Sequence, residues 1–430
     1  MKVALKTLGC RLNEAEVQAW SRKFQARGLR VVNEEDNADL LVLNTCAVTR
    51  DAVRKSRHLI RRSQRRNPNA RLIVSGCYAS LEQDLHHEIE GIDLVVPNRD
   101  KDRLVEIASD LLDLPVMPST ATAAGMNPLF ARHRSRAFIK IQDGCRYRCT
   151  FCIVTVARGE ERSLAAETII ENIIAASQQG VKEIVLTGVH AGGYGSDIGS
   201  NLPALIQRIL AETDIPRIRM GSVEPWDLQD DFIDLFANPR FMPHLHLPLQ
   251  SGSDSVLKRM ARRCRTRDFS DLLDRLRDRV PGFNVTTDII VGFPGETESE
   301  WRESLEYIEA TGFSHIHIFS YSPREGTKAA TLDQQVPLSI RKERSRELHE
   351  LMYRMKRNAL EGCIGKTVEV LWESSMEEQD EEKFVHGYTP AYQRVVTPVD
   401  RHNHLCNEIT RTRITGVSDC GTLLTGTVTT

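Results

Sequence analysis

AFIKIQDGCRYRCTFC, residues 137–152, decides how this chain is read. Residues 137–142 (AFIKIQ) have the make-up of a short strand, and DGCRYRCTFC is the loop that leaves it. That loop carries Cys145, Cys149 and Cys152 at C-x3-C-x2-C spacing. Three thiols packed so closely read as a metal site, and cysteine thiolates are the standard ligands of iron–sulfur clusters. A four-iron cluster on three cysteines leaves one iron without a protein ligand, the open position that catalysis needs. A structural zinc finger would want a fourth ligand nearby. His133 and His190 are the nearest candidates, and neither stands at finger-like spacing.

Downstream of the loop, strand-like runs recur at 183–187, 217–222, 245–249, 285–291 and 315–320. Helical patterns fall between and after them, at 167–177, 202–210, 227–236, 269–278, 297–309 and 339–360. With the opening strand this predicts about six βα units, two short of a closed eight-stranded barrel. The cysteine loop would leave the first strand at its carboxyl end, where barrel active sites lie.

Upstream, KVALKTLG (2–9), DLLVLN (39–44) and RLIVS (71–75) read as strands, with helices between them. Asn13 with Glu16 has the capping-box spacing, predicting a helix from there to about Ala26. Strands alternating with helices imply a parallel sheet. Cys10, Cys46 and Cys77 each follow a predicted strand end, so one edge of that sheet should bring them together. The competing reading is three small buried residues. Cys264, Cys363, Cys406 and Cys420 match no ligand position.

Residues 116–136 are rich in Pro, Thr and Ala and read as a linker. From about Gly362 the pattern changes to short Thr- and Val-rich runs, a small β-barrel. The chain is thus expected to be α/β, with an N-terminal parallel-sheet domain at 1–115, a partial (βα)6 barrel at 137–361 and a β-barrel at 362–430. Its 430 residues, 40% hydrophobic and 27% charged, are of ordinary globular composition. No apolar run is long enough to cross a membrane and no signal-peptide pattern opens the chain, so cytoplasm is the expectation. The net charge of −2 excludes little, because distribution matters more than the sum.

The whole chain resembles the radical S-adenosylmethionine methylthiotransferase family. The matching stretches are TLGCRLNEAE, NTCAVT, SGCY, GCRYRCTFC with ARG after it, TGVHAGGYG, HLPLQSGSDSVLKRM, TDIIVGFPGE and FSYSPREGT. NTCAVT, TGVHAGGYG and GYTPAYQRVV resemble the branch that acts on N6-threonylcarbamoyladenosine in tRNA, beside the anticodon. The resemblance implies two 4Fe–4S clusters. Cys145, Cys149 and Cys152 would hold the one that binds S-adenosylmethionine, and Cys10, Cys46 and Cys77 an auxiliary one. It also implies C2 methylthiolation, a radical SAM partial barrel, a TRAM-like C-terminal barrel that binds RNA, tRNA as partner, and a flavodoxin-type electron donor. The sulfur source is left open. Other members act on isopentenyladenosine in tRNA or on a ribosomal-protein aspartate.

Gly192, Gly193, Glu224, Gln250, Gly292 and Glu296 are candidate S-adenosylmethionine contacts, because each lies near a predicted strand end. The GGYG glycines could equally belong to an ordinary loop. Arg158 and Arg324 could meet a substrate or cofactor carboxylate, or form structural ion pairs. The basic run that includes Arg54, Arg57 and Arg61 would suit a phosphate backbone, as would a second cluster at 258–267. The acidic run MEEQDEEK reads as a solvated hairpin loop.

Overall fold

Leu40–Thr45 is buried at every position, as a strand covered on both faces must be. It is the centre of the first sheet in the computed structural model, which describes residues 1–33, 35–82, 85, 89–111, 135–379, 382–398 and 405–429. That sheet has five parallel strands: β1 (Lys2–Thr7), β2 (Arg30–Val32), β3 (Leu40–Thr45), β4 (Arg71–Gly76) and β5 (Leu94–Val96), in the order β2-β1-β3-β4-β5. The helices α1 (Arg11–Ala26) and α2 (Arg50–Arg66) follow β1 and β3. Thr49 caps α2 by accepting from the Ala52 amide. The capping box expected at Asn13 does not form. Helix α1 starts at Arg11, and Asn13 is buried inside its first turn. There its amide donates to the carbonyls of Leu8 (2.7 Å) and Thr45 (3.3 Å), tying two strand ends together.

The second unit is built from β6 (Arg136–Lys140), a short ribbon of β7 (Gln142–Asp143) and β8 (Arg162–Ser163), then β9 (Glu183–Thr187), β10 (Arg217–Met220), β11 (His244–His246), β12 (Asn284–Val291) and β13 (His315–Ser320). The strands β10-β9-β6 form one parallel sheet and β11-β12-β13 another. Parallel bridges Ile218↔Phe241 and Ser222↔His246 join the two, giving a six-stranded open barrel. Ala137, Ile139 and Ile141 face outward into one large apolar core with the covering helices. The intervening residues face the lumen, by the period of two. Helix Glu298–Thr311 shows local encoding: Thr297 and Glu300 make a reciprocal capping box, and Gly312 (φ 70°) ends it. The helix expected at 227–236 is instead a short α-segment, Asp230–Asp234, between 3-10 turns at Pro225–Asp227 and Leu235–Ala237. A helix at Asp254–Arg259 went unread, because six residues are too few to show a period.

The third unit is a closed barrel of β14 (Thr367–Gln379), β15 (Glu382–Tyr388), β16 (Arg394–Pro398), β17 (Ile409–Val417) and β18 (Leu424–Val428), ordered β14-β15-β16-β18-β17. The acidic run is not loop throughout: Glu377↔Phe384, Glu378↔Lys383 and Gln379↔Glu382 pair as strand. The segment between β15 and β16 plugs the amino end of the larger barrel. Arg217 donates to the Tyr388 carbonyl (3.0 Å), Arg219 to that of Pro390 (2.9 Å) and Asn284 to that of Ala391 (2.6 Å). The expected linker lies, up to residue 134, outside the described residues, and Arg136 already belongs to β6. No helix among the described residues is long and apolar enough to cross a membrane.

Candidate active site

Three strand ends of the first sheet converge. Gly9 (φ 113°) turns the chain out of β1 so closely that an added Cβ would stand 2.8 Å from Cys46 Cβ. Gly76 (φ 103°) does the same after β4, against the Thr45 carbonyl oxygen at 2.2 Å. Only glycine takes such backbone at such distances. Cys10, Cys46 and Cys77 follow, and Cys77 is near enough to hinder ionisation of the other two. Asn98 Nδ2 lies 3.7 Å from Cys77 Sγ.

The second triplet sits in the loop between β7 and the helix Val154–Arg158. Gly144 (φ 74°) opens it, and the Cys145 amide donates to the Gly159 carbonyl (3.1 Å). The Val154 amide points at Cys152 Sγ (3.4 Å), and Arg262 Nη1 lies 3.9 Å from Cys149 Sγ. Behind the loop, His190 stands 2.5 Å from both Glu161 and Asp227. Burial opposes its charge, but the two carboxylates overcome that and raise its pKa. Tyr147 packs edge-on against His190, with ring centroids 4.7 Å apart.

Both triplets open into one cavity of about 860 Å³ between the three units. Burial pushes the Cys145 and Cys152 thiols up to about 11 and about 12, and raises Cys10, Cys46 and Cys149 as well. Thiolates at these positions therefore need a metal beside them. Among the described residues, His246, Asp288 and His317 form the one group whose ligand atoms all lie within 4.8 Å of one another. Neither cysteine triplet closes that far. One zinc ion, at about 2.3 Å from each sulfur, would hold them about 4 Å apart. All-sulfur donors at wider spacing fit a multi-iron cluster.

Of the other candidates, Glu224 and Gln250 line the cavity. Glu224 accepts from Arg262 (2.7 Å). Gln250 takes a left-handed backbone (φ 79°), held by its amide on the Asp288 carbonyl (2.8 Å) and by its own carbonyl accepting from Ile290 (2.9 Å). Such strain in a non-glycine residue marks functional sites. Gly192, Gly193, Gly292, Glu296 and Arg324 lie outside the lining. An added Cβ on Gly192 would meet the Asp227 side chain at 2.6 Å, and one on Gly193 would meet His190 Nδ1 at 2.4 Å. These glycines make room for the histidine network. Glu296 accepts from the Gly292 amide (2.7 Å) and from Arg344 (2.7 Å), a structural pair.

Arg158 touches the cavity, but its guanidinium is bound up between the first two units. Nη1 donates to Glu16 (3.0 Å) and Asp143 (2.9 Å), and Nη2 to Asn13 (2.7 Å). On α2, Arg54 and Arg61 are exposed, while Arg57 donates to the Tyr78 hydroxyl (2.7 Å). The second basic cluster is divided: Arg259 pairs with Glu300 and Arg262 is buried, whereas Lys258, Arg263 and Arg267 face solvent. Sequence reading missed the lumen histidines His244, His246, His315 and His317, although their spacing of two was visible.

The pattern of the radical SAM superfamily matches residues 139–308, and that of a family described only as uncharacterised, UPF0004, matches residues 2–97. The threonylcarbamoyladenosine tRNA methylthiotransferase MtaB of Bacillus subtilis is 37% identical over 92% of this chain and 90% of its own. The Thermotoga maritima protein of the same name is 37% identical over 86% of each. A tRNA-2-methylthio-N(6)-dimethylallyladenosine synthase of Staphylococcus aureus is 32% identical over 90% of this chain and 77% of its own. Among solved structures, the radical S-adenosylmethionine methyltransferase TsrM of Kitasatospora setae shares the fold. Its TM-score is 0.58 at 15% identity, over 76% of this chain and 77% of that one.

Proposed function

Because the chain belongs to the threonylcarbamoyladenosine tRNA methylthiotransferases, within the radical SAM superfamily, we infer that it replaces the C2 hydrogen of N6-threonylcarbamoyladenosine in tRNA with a methylthio group. The observation that carries this reading is the single cavity into which both cysteine triplets open. Cys145, Cys149 and Cys152 would hold the 4Fe–4S cluster that binds S-adenosylmethionine. Cys10, Cys46 and Cys77 would hold the second. When bound, these groups supply the radical, sulfur and methyl chemistry, which no side chain can perform. An aromatic C–H has no useful acidity, so general bases in the lining would not remove it.

The chain's own work is placement. The Arg158 bridge to α1 fixes the distance between the two triplet-bearing segments. The plug after β15 closes the far end of the barrel and shields the lumen from water. The exposed arginines of α2 and the C-terminal barrel supply the surface for the tRNA backbone. A flavodoxin-type electron donor is the protein partner this chemistry calls for.

The test is mass spectrometry of nucleosides from total tRNA, with and without the gene. Loss of the methylthio form with accumulation of threonylcarbamoyladenosine is the expected result. Loss of methylthio-isopentenyladenosine instead, or unchanged tRNA, would overturn the substrate assignment.

A further inference from the structure

The cavity continues beyond the two cysteine triplets into the barrel lumen. Its carboxylates, Glu224 and Asp288, are both engaged: Glu224 by Arg262 at 2.7 Å and Asp288 by His246 at 3.1 Å. Two cations that line the same space, Arg11 and Lys356, have no carboxylate partner among the described residues. Arg11 is held in place without one. Its guanidinium donates to the Tyr392 hydroxyl (2.9 Å) and lies 5.5 Å from that ring's centroid and 5.9 Å from that of Phe138. Lys356 comes from the long helix Leu338–Glu361. His315 and His317 stand edge to face, 4.8 Å apart. Burial depresses both, helped by Lys356 at His315 and by His246 and Arg11 at His317 against the pull of Asp288, so each imidazole has one of the two cations beside it.

Buried hydrogen-bonding atoms in this wall also lack partners. Nδ1 of His315 and Nδ1 of His244 are buried with none among the described residues. A buried polar atom in that state is costly unless a ligand completes it. Burial, helped by these neighbours, holds His315 down to about 4, so near neutrality it offers a neutral imidazole that can donate to an anion. Cations with donors beside them, without a carboxylate partner among the described residues and partly withdrawn from water, are what a carboxylate ligand requires.

We propose that this end of the cavity is a carboxylate pocket. In it, Arg11 and Lys356, with His315 and His317, select an adenosine whose N6 substituent ends in a carboxylate over one whose substituent is apolar. The assignment rests on the function inferred above. It adds the means by which the threonyl group is told from a dimethylallyl group of comparable reach. A site that pairs a polar group rejects the analogue lacking it far more strongly than an apolar pocket rejects an extra hydroxyl.

The experiment measures binding of fluorescent anticodon stem-loop RNAs to the cluster-reconstituted enzyme without S-adenosylmethionine. Three RNAs are compared: one with threonylcarbamoyladenosine, one with its methyl ester and one with dimethylallyladenosine. The free acid should bind about 10- to 100-fold tighter than the ester. Arg11→Met and Lys356→Met should each shrink that ratio about 10-fold while leaving affinity for the ester unchanged. Arg11 adjoins Cys10, so the cluster's absorbance is recorded for that variant, and Lys356→Met supplies the arm remote from the cluster. Equal binding of acid and ester by the wild type would overturn the pocket. So would variants that weaken both RNAs alike, or that lower S-adenosylmethionine affinity while the acid-to-ester ratio stands. Product formation without acid preference would sink the pocket and leave the methylthiotransferase reading intact. Acid preference without product would do the reverse.

Discussion

Replacing Arg158 with methionine should loosen the joint between the two cysteine-bearing units. Arg158 is 3% exposed, and its guanidinium is bonded to Glu16, Asp143 and Asn13 at 2.7–3.0 Å. Glu16 and Asp143 are themselves buried, so removing Arg158 leaves carboxylates short of a partner. Breaking a buried pair in this way costs about 3–5 kcal/mol. A second route bounds the Glu16 part of that loss from above. Despite burial, Lys101, Arg158 and Lys140 hold the Glu16 carboxyl down to about 2, from 4.5, a stabilisation of about 3 kcal/mol. Burial lowers the Lys101 ammonium, whereas the carboxylates around Arg158 and Lys140 raise both of these against burial. Total stabilities are about 5–15 kcal/mol, so the variant should stand near its limit. The assay is urea unfolding followed by tryptophan fluorescence. Trp20, whose Nε1–H donates to the Lys101 carbonyl (3.1 Å), reports on the joint, while Trp301 and Trp372 report on the other two units. The Trp20 transition should shift most. The double variant Arg158→Met/Asp143→Asn should recover part of the loss, because Glu16 then keeps Lys101 (2.5 Å) and Lys140 keeps Asp102 (2.9 Å). A loss under about 1 kcal/mol, or no recovery in the double variant, would refute the reasoning. Glu16 has a depressed folded pKa, so its contribution is full above pH 4.5 and disappears as pH falls toward about 2.

Cys149→Ala should abolish cleavage of S-adenosylmethionine, read as 5′-deoxyadenosine by chromatography. Cys46→Ala should leave cleavage in part while methylthio product disappears; full product yield would remove the second triplet from sulfur insertion. Gly76→Ala must take φ 103° with its Cβ 2.2 Å from a carbonyl oxygen, so a cost of about 1–3 kcal/mol and poor iron loading are expected by denaturation and iron assay. His190 has a raised folded pKa, so it stabilises fully below pH 6.5 and less as pH climbs through that raised value. The stability gap between wild type and His190→Gln, measured by urea titration, should therefore narrow in alkali; a gap that widens would assign the network a different protonation.

Features set by neighbours in the chain were legible without coordinates. The C-x3-C-x2-C loop declares its ligands within eight residues, and the run 315–320 reads as the strand that forms. The convergence of Cys10, Cys46 and Cys77 was also readable, because a parallel sheet delivers every strand's carboxyl end to one edge. Local signals misled where a side chain had a remote partner. Asn13 has the spacing of a cap but serves two strand ends and Arg158. Gly192 and Gly193 could be read as a cofactor loop or an ordinary one, and nothing near them in the chain shows that they accommodate Asp227 and His190.

The sequence by itself determined the βα order, both cysteine triplets and the kinship of the chain, since each is written in short-range spacing and composition. Only the tertiary structure decided which charges cancel. Arg158 and Arg11 are both arginines near a cysteine, yet one is neutralised across a domain joint and the other faces the lumen with no carboxylate partner among the described residues. Likewise His244/His246 and His315/His317 show the period of two in the chain, but barrel closure alone turns that face inward and sets it against Lys356. The physical reason is that ligand spacing is a property of one loop. Electrostatic partnership depends on which distant elements the core brings within a few ångströms.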